Sequence, residues 1–295
     1  MVAIVFERWR RPRFISIQQA PPVVHRALAG ELTEVGAYEA LSETYDDVWG
    51  PPMLERMVPS LLAHLSCEQV HVLDLACGTG MLSRALAPKA FRVHGVDRSA
   101  PMLAVARERC ADHAKFSFEL ADIRSFHEPG PFDLVFCGSN SLNYLVEDGA
   151  LEACLAHIER CMAPQSFLVF DVINELGMQQ LSGRVHPVTD DGPYLCFQYD
   201  AQARLETSLA VVGEQVERHQ RVPINPEDIA SSAQAVGLRV CNRVRYASLG
   251  PFHIAVGMGT RWGPALIRSL QTLGMTFDGL AFDHYVLHKG PLEQP

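Results

Sequence analysis

The stretch VLDLACGTG, Val72 to Gly80, constrains the fold of this 295-residue chain more than any other. Val72, Leu73 and Leu75 form a short apolar run with Asp74 inside it. Ala76 and Cys77 follow, then Gly78 and Gly80 with one residue between them, and then the helical pattern MLSRALAPKA. A buried strand, a glycine turn and a helix start, in that order, make a nucleotide site. Gly78 and Gly80 let the backbone approach a ligand that a side chain would hold away. The helix start offers unpaired N–H groups, which usually hold a phosphate. Asp74 argues against a phosphate, because a carboxylate would repel it. A ligand carrying an ammonium and a sulfonium suits the site better. The competing reading is an ordinary strand-to-helix turn of another α/β protein.

The spelling D-x-x-C-G-T-G resembles motif I of class I S-adenosylmethionine (SAM)-dependent methyltransferases. The following strands extend the resemblance. Strand two, 91–96, ends at Asp97, about twenty residues after the turn, where an acid reaches ribose hydroxyls. NAD enzymes use this position too, but their G-x-G-x-x-G is broken here by Ser83, three residues after Gly80. Ser99 reads as an N-cap, with Pro101 in the first turn of its helix. The resemblance implies that Met102 packs on the adenine. It also implies that Asp122, after strand three (116–120), accepts from the adenine amine and that Ile123 flanks the ring. The cofactor-binding residues implied are Asp74, Ala76, Cys77, Gly78, Gly80, Asp97, Arg98, Met102, Asp122, Ile123 and Cys137.

Strand four and its exit, FDLVFCGSNSLNYL, resemble the bacterial small-molecule methyltransferases in which this strand ends in C-x-x-D-S-L-N-Y-L. Asn140 replaces the usual acid and can hydrogen-bond but cannot take a proton. The run E-x-H-x-R, Glu217 to Arg221, precedes a helix opening near Pro226 and resembles the same subfamily. That resemblance brings His219 near the chemistry. Its Tyr-Asp pair is matched by Tyr45-Asp46, with the tyrosine near the transferred methyl. Tyr45, Asn140 and Tyr144 are therefore expected to position the acceptor, with His219 as the base.

The family implies an α/β, Rossmann-like seven-stranded sheet of order 3-2-1-4-5-7-6 with strand seven antiparallel. Strand five is expected at 166–172, strand six at 238–246 and strand seven at 284–288. Residues 1–31 read as an N-terminal arm. Apolar spacing predicts helices over 32–49 and 53–65, an N-terminal helical cap. Residues 32–175 then hold the SAM-binding core with its cap. Residues 176–222 read as an antiparallel β insertion roofing the acceptor pocket, with strands at 194–199, 205–212 and 216–221. The remainder, 223–295, completes the core and carries an extension at 248–282 that the family pattern lacks.

A net charge of −9 gives no electrostatic reason to expect a nucleic-acid partner. No apolar run reaches the roughly 18 to 20 residues of a membrane span. The eight cysteines include no C-x-x-C pair and fall in apolar patterns, reading as buried thiols of a cytoplasmic protein with no metal site. The first residues place their apolar run before their arginines, the reverse of a secretory signal. The expected function is methyl transfer from SAM to an N, O or C atom of a small-molecule acceptor, giving S-adenosylhomocysteine (SAH). The alternative is a non-catalytic SAM-binding protein, or the same fold recruited for cyclisation. A homodimer is left open.

Overall fold

The computed structural model describes residues 14–47, 54, 57–58, 61–62, 70–112, 114–127, 130–249, 252–257 and 282–290. In chain order the elements are β1 (Ile15–Ser16), α1 (Pro22–Leu28), β2 (Thr33–Val35), β3 (Val70–Leu75), α2 (Met81–Leu86), β4 (Ala90–Asp97), α3 (Ala100–Arg109), β5 (Phe116–Leu120), β6 (Phe132–Cys137), α4 (Ala150–Cys161), β7 (Met162–Ile173) and α5 (Glu175–Leu181). They continue with β8 (Arg184–Pro187), β9 (Tyr194–Asp200), β10 (Leu205–Val212), β11 (Gln215–Arg221), α6 (Pro226–Ala235), β12 (Leu238–Leu249), β13 (Phe252–Gly257) and β14 (Phe282–Lys289).

The larger sheet has the order β13-β12-β14-β7-β6-β3-β4-β5. β5, β4, β3, β6 and β7 are mutually parallel, and β14 runs antiparallel to both β7 and β12. Read from β5 to β12, this is the expected 3-2-1-4-5-7-6 order. The expected count of seven is one short, because β13, from the extension, pairs antiparallel along the outer side of β12.

The central strands are buried on both faces, as covered parallel strands must be. Leu73, Leu75 and Val135 pack on one face against α4 and α6 through Leu155, Ile158 and Ile229. Val72, Leu134 and Phe136 pack on the other with Leu86, Met57 and Leu61. Asp74 shares the parity of Val72, so its side chain points toward α2.

A second sheet has the order β1-β8-β9-β10-β11-β2. It is antiparallel except where β2 lies parallel to β11. β9, β10 and β11 are the three expected strands. One face is covered by α1 through Val24 and Ala27. The other packs Leu195, Phe197 and Ala210 against Leu41, Ile173 and Met178.

The helix expected over 32–49 is corrected. Thr33–Val35 is a strand, the residues to 44 form bends and turns, and helical backbone begins only at 45–47. Tyr38 adopts φ 62°, which no right-handed helix tolerates. The N–H groups of Tyr38 and Leu41 donate to the Glu217 carboxylate, at 2.9 and 2.8 Å, instead of to helical carbonyls. The second expected helix is helical at its described positions, 54, 57–58 and 61–62, with Met57 and Leu61 buried. Among the described residues no helix is long and apolar enough to cross a membrane.

Candidate functional site

A cleft of about 860 Å³, part of it open to solvent, lies at the carboxyl ends of β3, β4, β5 and β6. The floor is Ala76, Gly78, Asp97, Arg98 and Met102, and one end is Asp122, Ile123 and Arg124. Tyr38, Tyr45, Ser141 and the run Tyr144 to Glu147 complete its lining.

The glycine turn and the end of β4 form one unit. Asp97 Oδ2 accepts from the Gly78 N–H and Oδ1 from the Ser99 N–H, each at 2.8 Å. Burial holds the Asp97 carboxyl above its ordinary pKa, and these two donors offset only part of that rise. Each oxygen keeps a lone pair for a ribose hydroxyl. Ser99 caps α3 as expected, its Oγ accepting from the Met102 N–H at 3.3 Å. Gly78 sits at φ +54°, and a Cβ there would meet no atom closer than Met102 Sδ at 4.0 Å. That Cβ would occupy the cleft itself.

Five of the residues expected to hold the cofactor line the floor, and Asp122 and Ile123 line one end. Asp74, Cys77, Gly80 and Cys137 lie beneath it. Asp74 is buried and accepts the Ser83 hydroxyl hydrogen at 2.5 Å, and burial pushes its carboxyl up to about 8. Gly80 faces α3 rather than a ligand: a Cβ there would lie 3.3 Å from Ala106 Cβ and 3.4 Å from Cys110 Sγ. Cys77 and Cys137 are buried thiols held well above their ordinary pKa by desolvation.

Arg124 is a site residue the motifs did not single out. It grips Asp122 through Nε and Nη2, each at 2.9 Å, and holds Glu147 through Nη1 at 2.9 Å. The hydrogen bonds from Arg124 hold the Asp122 carboxyl below its ordinary pKa. Asp122 was expected to meet an adenine amine, yet here both its oxygens already accept from Arg124. The only signal was an arginine two residues after the acid in ADIRSF.

The exit of β6 is strained and heavily tied. Ser139 and Asn140 both have left-handed φ, 58° and 56°. The Asn140 N–H donates to Asp171 Oδ1 at 3.0 Å, while Asn140 Oδ1 is buried with no hydrogen-bond partner among the described residues. Asn143 locks the exit by donating to the Ile173 and Val222 carbonyls at 2.8 and 2.7 Å and accepting the Ile173 N–H at 3.0 Å. The motif matched Asn143 without giving it a role.

Tyr45 and Tyr144 line the cleft, and Asn140 and His219 do not. Tyr45 donates to Ser139 Oγ at 3.1 Å. Tyr144 Oη lies 2.7 Å from Tyr38 Oη and 3.1 Å from His219 Nδ1, so Tyr144 links His219 to the cleft by hydrogen bonds. Burial raises the pKa of all three phenols. The Arg98 guanidinium lies 5.7 Å above the Tyr144 ring centre.

Known proteins align with this geometry. Residues 72–165 match a family described as a methyltransferase domain. The Bacillus subtilis (strain 168) protein YqeM is 32% identical over 136 residues, 46% of this chain and 55% of that protein. A Streptomyces fradiae dTDP-3-amino-3,6-dideoxy-alpha-D-glucopyranose N,N-dimethyltransferase is 33% identical over 112 residues, 38% of this chain and 43% of its own length. The chain spans about half the length of the curated relatives it matches. Among solved structures, a SAM-dependent methyltransferase from Clostridium acetobutylicum ATCC 824 superposes with a TM-score of 0.63 at 20% identity, covering 87% of this chain and all of that one. Residues 72–165 thus match a methyltransferase-domain family, and the chain shares the fold of this solved SAM-dependent methyltransferase.

Proposed function

We propose that the protein transfers a methyl group from SAM to a nitrogen, oxygen or carbon atom of a small-molecule acceptor. The supporting observation is that the glycine turn, Asp97 and a group of tyrosines line one continuous cleft. The donor set fits SAM: a backbone cradle at Gly78, an acid with spare lone pairs at Asp97, and apolar surface at Met102 and Ile123. SAM would supply a methyl made electrophilic by its sulfonium. The protein's part is to hold the acceptor atom in line, about 3–3.5 Å from that methyl, and to exclude water. Tyr45 and Tyr144 are the positioning residues in the cleft, and Asn140, outside its lining, helps to fix the β6 exit through Asp171. His219 serves as the base, acting from behind the cleft through the hydroxyl of Tyr144.

The amino sugar in the name of the Streptomyces fradiae relative makes sugar amines the first compounds to try. Among the described residues six cysteines are buried, which supports a cytoplasmic location, and the net charge of −9 supports the absence of a nucleic-acid partner. The test is SAH formation from SAM with a panel of amine and hydroxyl compounds. SAH appearing with an acceptor, and rising with its concentration, supports methyl transfer. SAM bound tightly with no SAH across the panel would favour the non-catalytic alternative, for which the Asn140 replacement speaks.

A further inference from the structure

We infer that a proton leaving the acceptor enters the protein at Tyr38 and passes through Tyr144 to His219, in a direction fixed by Glu217. The acceptor is therefore one whose attacking nitrogen or oxygen carries a hydrogen. This deepens the methyl-transfer reading and rests on it.

The direction follows from donor counting, starting at the buried end. Glu217 is fully buried, and its Oε1 takes the Leu41 N–H at 2.8 Å. Its Oε2 takes the Tyr38 N–H at 2.9 Å and lies 3.1 Å from His219 Nε2. A carboxylate only accepts, so the hydrogen of neutral His219 sits on Nε2. Nδ1 is then bare and accepts from Tyr144 Oη at 3.1 Å. The Tyr144 hydrogen is thereby used, and its oxygen accepts from Tyr38 Oη at 2.7 Å. The Tyr38 hydrogen is used in turn. What its hydroxyl can still offer at the cleft is a lone pair, which takes a hydrogen and cannot give one.

The rings form a compact group, with Tyr38 4.8 Å and Tyr144 5.9 Å from His219 between centroids. Behind them Arg221 pairs with the buried Glu206 at 2.7 Å. Burial keeps both phenols neutral, so each passes a proton on rather than holding a phenolate.

The step balances. The acceptor N–H or O–H bond breaks, and its electron pair stays on the heteroatom as that atom gains the methyl. The released proton joins Tyr38 Oη while the proton of Tyr38 moves to Tyr144 Oη and that of Tyr144 to His219 Nδ1. The resulting imidazolium is neutralised by Glu217. The reverse shift returns the proton to solvent after the product leaves. Glu217 is a positioning residue, since it acts through His219.

The test is nitrogen-15 NMR of the full chain labelled at histidine, with the His219 signals identified by their loss in His219→Gln. The expected result is the Nε2–H tautomer in the wild type and in Tyr38→Phe, and loss of that single tautomer in Glu217→Gln. An Nδ1–H tautomer in the wild type overturns the proposal. This readout does not depend on turnover. The companion assay follows SAH with glucosamine, ethanolamine and trimethylamine as probes. With whichever probe turns over, Tyr38→Phe should lower kcat at least tenfold at unchanged SAM affinity. Unchanged kcat, or turnover of trimethylamine, overturns the proton path. No SAH with any probe counts against the methyl-transfer reading itself, and the tautomer result then stands separately.

Discussion

The backbone N–H of Gly78 donates to Asp97 Oδ2 over 2.8 Å, which makes the glycine turn and the end of β4 a single rigid unit. Gly78 faces the cleft, whereas Gly80, two residues on, faces Ala106 of α3 and Cys110 just after it. Gly78→Ala should therefore weaken SAM binding at least tenfold. Gly80→Ala should cost stability, about 1–2 kcal/mol from the left-handed backbone and the close contact, with SAM affinity changed far less. Urea unfolding and calorimetry separate the two. Equal effects of both substitutions on binding would contradict this division of labour.

Asp74 should leave a mark on the pH dependence of stability. Burial raises its carboxyl to about 8 in the folded chain, against about 3.9 when unfolded. The folded state thus holds the extra proton between these values. Its contribution is fully present below about pH 4 and is lost as pH rises through about 8, with a slope of up to about 1.4 kcal/mol per pH unit. Asp74→Asn should gain stability relative to the wild type across that window. Urea midpoints at pH values spanning the window provide the check, and parallel curves for the two proteins would refute the assignment.

Asp46 joins the segment carrying Tyr38 and Tyr45 to the cofactor side. Its carboxylate accepts from the Thr79 hydroxyl in the glycine turn and from the Arg109 guanidinium at the end of α3. Asp46→Ala should loosen this wall and speed SAM dissociation about three- to tenfold, as loss of about 1 kcal/mol implies. Stopped-flow release of SAM measures it. A release rate equal to that of the wild type would show that the contact does not hold the wall.

The sheet order was legible because β3, β4, β6 and β7 carry apolar runs at positions a βα pattern makes predictable. The lining of the cleft was legible for a related reason: Gly78, Asp97, Met102 and Ile123 sit in local motifs at or just after the strand ends. What sequence hid is nonlocal. Tyr38 meets the Glu217 carboxylate 179 positions away, and that bond turns an apparently helical stretch into turns. The motif expected His219 near the chemistry, but not that Tyr144 would stand between it and the cleft. The partnership of Asp122 with Arg124 was missed for a different reason. A charged pair two residues apart is common on surfaces, and only the fold shows it closing a cleft.

The most direct test of the central claim is calorimetric titration of SAH into the wild type and into Asp97→Ala. The expected result is one saturable site in the wild type, weakened about ten- to a hundredfold in the variant by loss of about 1–3 kcal/mol of hydrogen bonding, with the variant still folded. Absence of binding to the wild type, or an unchanged Kd in the variant, would contradict the assignment of this cleft to SAM.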